Sequence, residues 1–162
     1  MKKTFIYTSL TFITGLVAGA AAMLLAYPFL FPPAEVNEQI MDAGNKQIIL
    51  TGTFIHPNPS DPVHWGKGDI AVYREQDSEE LFLENNFEVG PGPDYHVYLS
   101  TGSAITSNDD FANAHNTELG KLKSFRGSQI YNINTAIDMN SIKSVVVWCK
   151  AFGQLITSAE LN

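Results

Sequence analysis

Cysteine occurs once in this chain, at position 149, inside Ser144-Val-Val-Val-Trp-Cys-Lys-Ala-Phe152. A thiol can serve as a redox group, a nucleophile or a soft metal ligand, and the thiolate is the reactive form in each case. It also packs into cores as a small hydrophobe. The four histidines are the other groups suited to metal binding or to proton transfer near neutral pH. His56 and His64 flank the proline-rich turn Pro57–Pro62 and approach each other if that turn folds back. With Cys149 they make a weak candidate set for a copper or b-type haem site, since thiolate and imidazole suit both. The chain contains no His-x-x-x-His, Cys-x-x-Cys or Cys-x-x-Cys-His, so structural zinc and c-type haem lack their usual basis, and no cofactor is implied by the motifs themselves. His64 and His115 read as loop residues, and His96 as facing out from a strand. His56 is in register with apolar positions, which makes it the candidate partner of Cys149.

Hydrolytic chemistry has less support. There is no Gly-x-Ser-x-Gly elbow and no phosphate-cradling glycine loop. Asp94, after Gly92-Pro93, is expected to bind nearby backbone N–H groups and fix the turn. Asn108-Asp-Asp110 fits a helix cap better than any calcium loop. Asp77-Ser-Glu-Glu80 is expected to be a solvated hairpin tip. A turnover enzyme is therefore disfavoured.

These groups must be positioned by strands. Three valines and a tryptophan before Cys149 favour a strand, with Val145, Val147, Cys149 and Ala151 on one face and Val146, Trp148, Lys150 and Phe152 on the other. Both faces are largely apolar, which predicts a central strand. Further strands are expected at 47–56 (with Ile48, Leu50, Gly52, Phe54 and His56 on one face), 69–73, 81–87, 95–100, 119–125, 129–133 and 154–156. Turns are expected at Trp65–Gly68 and Gly90–Asp94, and a short capped helix or loop at Ser107–Ala114. Short strands at this spacing indicate an all-β domain, an antiparallel β-sandwich or flattened barrel.

Ahead of that domain, Thr4–Phe31 carries no charge, longer than the roughly 20 residues that cross a bilayer core. Residues 1–31 are therefore expected to be an uncleaved signal anchor that meets the membrane through residues 4–31, with 32–46 a stalk and 47–162 the β domain. Lys2 and Lys3 predict an N-terminus inside the inner (cytoplasmic) membrane, with the domain in the periplasm or outside the cell. From Pro32 onward the chain holds all 17 acidic residues and 8 of the 10 basic ones, a net charge of −9, which argues against nucleic acid as a partner.

Six segments occur in an order that resembles the DM-thirteen domain family, labelled electron transfer DM-thirteen. They are Gly52-Thr-Phe54 with His56, Asp69–Tyr73, Leu81–Phe87, Gly92-Pro-Asp94 running into Val97–Ser100, Gly127–Ile133 and Val147–Phe152. The resemblance covers roughly residues 48–161. It implies a β-sandwich and a redox role in which Cys149, at the family's recurring cysteine position, is a naked thiol or a ligand, with a redox protein as partner. Leu122-Lys123-Ser124 departs from the Leu-Lys-Gly expected there. The alternative is an envelope protein- or ligand-binding module in which Cys149 is only core packing.

Overall fold

The computed structural model describes residues 2–76 and 78–162, with side chains from Tyr7 onward. A helix, α1 (Lys2–Leu30), precedes ten strands: β1 (Gln47–Ile55), β2 (Gly66–Lys67), β3 (Asp69–Glu75), β4 (Ser78–Leu83), β5 (Glu88–Val89), β6 (Tyr95–Ser100), β7 (Asn116–Lys121), β8 (Gln129–Ile133), β9 (Ser144–Cys149) and β10 (Gln154–Glu160). A six-residue helix, α2 (Asn108–Asn113), lies between β6 and β7. Eight strands form one antiparallel sheet in the order β7-β6-β9-β10-β1-β3-β4-β8, and β2 pairs with β5. The sheet curls until β7 and β8 approach each other, giving a nearly closed barrel.

β9 lies between β6 and β10, which is why its valines are apolar toward both sides. Val145, Val147 and Cys149 join the inner core with Phe54, Phe87, Val97 and Ile156. Val146 and Trp148 face outward, where Ile105, Phe111 and Leu155 cover them beneath α2. Ser107 caps α2 through a reciprocal bond with Asp110, so the Asn108–Asp110 run is a cap.

The structure shifts several expected boundaries. β9 stops at Cys149, because Lys150–Gly153 is a tight turn whose Gly153 takes φ +60°, a conformation that suits glycine. Lys150 and Phe152 are therefore turn residues. A bulge between Ile48 and Leu50 breaks the alternation of β1: Ile48 turns out to solvent, while Ile49 and Leu50 pack against the core. β4 begins at Ser78 and ends at Leu83; Asp77 lies outside the described residues. Glu79 and Glu80 are ladder residues, bonded to Arg74 and Lys46. Asn85 and Asn86 form the turn after β4, and the Asn86 side chain holds Asp69. β7 lies earlier than expected, β10 runs on to Glu160, and Gly66–Lys67 is a short strand.

Tyr7–Leu30 has mean hydropathy 1.9, long and apolar enough to cross a membrane; a signal sequence meets the same criterion. The side chains of Lys2 and Lys3 lie outside the described ones. Residues 36–38 are fastened to the barrel. The Val36 and Glu38 N–H groups donate to the carbonyls of Arg126 and Ser128 at 3.3 and 3.1 Å. The Glu38 carboxylate accepts from the Ile130 N–H at 2.6 Å and from the Lys123 ammonium. Burial pushes the Glu38 carboxyl up, but those bonds outweigh it and hold the group below its ordinary value. Gly127, at φ +84°, has no Cβ to strike the Val36 carbonyl, so the strap sits in a fitted seat.

Candidate functional site

Cys149 ends β9 opposite Tyr95 on β6 and Gln154 on β10, and is 1% exposed. Its partners in the ladder follow from strand alternation: the face that carries Val145 and Val147 inward carries the thiol inward too. Tyr95 is 3% exposed and packs edge-on against Phe125, ring centroids 5.9 Å apart. Burial pushes the Tyr95 phenol far above its ordinary range, with Cys149 and Asp61 adding to the shift. The Lys150 ammonium points away from the thiol and donates to Glu118 at 3.1 Å.

The proline-rich turn does fold back, and Asp61 organises it. Its carboxylate accepts from His64 Nδ1 at 2.7 Å and from the Val63 and His64 N–H groups, and its carbonyl accepts from His56 Nε2 at 2.8 Å. The His64 bond and the two backbone bonds hold the Asp61 carboxyl down at about 2. His56 and His64 thus meet on one aspartate, whereas β10 lies between β1 and the strand of Cys149. Cys149, His56 and His64 do not assemble as one ligand set. Among the described residues, no group of three or more His, Cys, Asp or Glu side chains is placed to hold a metal ion.

A second constellation, on the outer face of β6 and β7, escaped sequence reasoning. The His96 ring lies between two carboxylates, Nδ1 2.6 Å from Glu118 and Nε2 3.1 Å from Asp94. Glu118 also accepts from the Tyr98 hydroxyl at 3.2 Å and from Lys150. Burial raises the Glu118 carboxyl, but the bonds from Lys150 and His96 win and leave it below its ordinary value. Burial pushes the Tyr98 phenol up to about 12, with Glu118 contributing. Asp94 thus spends its carboxylate on His96 rather than on turn N–H groups, and its carbonyl accepts from the Lys150 N–H. The physical reason is that the end of β9 returns beside it. Asp94 and His96, two residues apart where the chain enters β6, were the signal in the sequence. Beside this cluster, Phe111 stacks on Trp148 at 4.2 Å and meets Tyr98 edge-on at 5.3 Å.

An antiparallel barrel with a shielded thiol at one end and polar residues spread over its outer face defines a scaffold class without naming an activity. The family model described as Electron transfer DM13 matches residues 59–161, so the chain belongs to that family. The match begins within the proline-rich loop and leaves β1 outside it. No curated protein matches the chain, and no solved structure does.

Proposed function

We propose that this chain is a membrane-tethered module of electron transfer, working outside the cytoplasm on a redox partner protein, with Cys149 as its working group. Family membership supports the function class, and the apolar α1 supports the tether. The observation that carries the assignment of Cys149 is its place: the sole thiol ends the central strand against Tyr95, at the rim rather than in the middle of the barrel. A second reading, a binding module in which Cys149 fills core volume, is favoured by its 1% exposure.

Thiol titration of the native protein separates the two. A working Cys149 reacts in native buffer, or the protein carries metal or haem absorption, and Cys149→Ser abolishes that signal while the fold persists. A thiol silent until unfolding, with no bound metal or haem, overturns the redox assignment. In that case Cys149→Ser costs on the order of 1–3 kcal/mol by leaving a buried hydroxyl poorly bonded.

A further inference from the structure

We infer that the barrel rests on the bilayer by one defined end, with the phospholipid headgroup layer beside α1 as its partner. This rests on the reading of α1 as a membrane span. The register identifies the end. Tyr95 pairs with Cys149, Cys149 with Gln154, His96 with Lys121, and Leu83 with Gln129, so these strand termini share one rim. The last turns of α1 come to that rim: Leu24, Tyr27 and Phe31 face Pro93, Tyr95 and Phe125 across a groove of about 330 Å³, with Lys121 and Lys123 beside it.

The strap sets the distance. A free run from Leu30 to Gln47 would reach about 60 Å, but the chain is fastened to the barrel from Val36, which leaves at most about 20 Å. A tether that short keeps the rim near the plane where α1 ends. Basic side chains collect at the same end. Of the eight basic residues beyond Pro32, Lys67, Lys121, Lys123, Arg126 and Lys150 stand at this rim. The acids Glu38, Glu88 and Asp94 are paired with them, and Glu35, Asp61, Asp69 and Glu84 stand at the same end. Glu75, Glu79, Glu80, Asp138 and Glu160 stand at the opposite end, where only Lys46, Arg74 and Lys143 oppose them. Exposed Phe152 and Val63 add apolar contact at the rim. The barrel therefore turns toward the headgroups the end that holds five of its eight basic side chains together with exposed apolar ones. Cys149 lies at that same end, so a partner approaching it comes along the membrane.

The test is nuclear magnetic resonance of the full chain in phosphatidylcholine–phosphatidylglycerol nanodiscs carrying a gadolinium-chelate headgroup lipid. Strands of six residues span about 20 Å, enough to separate the two ends. Amides of 121–127 and 150–153 should broaden several-fold more than those of 134–141. Equal broadening at both ends, with α1 amides protected from exchange, overturns the inference and leaves the tether standing. Rapid exchange along α1 overturns the tether and the inference together. Glu38→Ala, which releases the strap, should bring the ratio toward one with α1 still protected; an unchanged ratio overturns the strap's part in holding the orientation.

Discussion

The two faces of β9 are covered in different ways. Its inner face meets the far wall of the barrel, where Val145 and Val147 are fully buried among residues drawn from most of the strands. Its outer face is roofed by one short helix and a loop, with Phe111 laid flat on a half-buried Trp148. One strand thus carries two small environments back to back: a dry one that ends at a thiol, and a patch whose edge is the His96–Glu118–Lys150 cluster. Burial alone says little about role here. The shielded group is the one suited to redox chemistry, and the bonded polar groups lie outside.

If the inner face is the true core, truncation there should be the most costly. Phe87→Ala, which removes a ring 1% exposed and 5.2 Å from that of Phe54, should lower stability by about 4 kcal/mol in urea unfolding. Phe111→Ala should cost about 2 kcal/mol, because α2 covers the sheet from one side only. Equal costs would make the outer layer a second core. The smallest effect belongs to Glu118→Gln, under about 1 kcal/mol, as fits a partly exposed ion cluster. The folded-state Glu118 carboxyl sits below its ordinary 4.5, so its contribution is present above that pH and is lost as pH falls through the lower folded value. The gap between the unfolding midpoints of the wild type and Glu118→Gln should therefore be present at pH 7 and shrink as the pH falls below 4.5.

The central strand, the antiparallel class and the limits of β6 and β8 were legible because alternation and turn residues both spoke there. The errors have local causes. A bulge at Ile49 reverses the face of Ile48, and periodicity has no term for an inserted residue. The strand expected over 81–87 overran Leu83 because Phe87, beyond the polar Glu84-Asn85-Asn86, is buried from a turn rather than from the ladder. The candidate site was half visible. Cys149 could be placed on its face by counting residues, and the approach of His56 to His64 by the turn between them. That β10 enters between β1 and the strand of Cys149 is a non-local pairing that local spacing does not encode. The same holds for Glu118 reaching His96 across the sheet.

Gln129 makes one further point. Fully buried, it accepts from the Lys123 and Ser124 N–H groups and the Tyr131 hydroxyl at 3.0, 3.3 and 3.0 Å, and donates to the Ser124 and Gly127 carbonyls at 2.8 and 3.5 Å. Three donors converge on one end of the amide and two carbonyls on the other, so its orientation admits no flip. The loop that seats the strap is thus templated by a side chain acting as a piece of backbone, wired in a single polarity. Exchanging the amide nitrogen for an oxygen would keep every atom's place and set a carboxylate against two carbonyls. The loop's shape is stored in one N–H₂ group, and the fastening of residues 36–38 hangs from it.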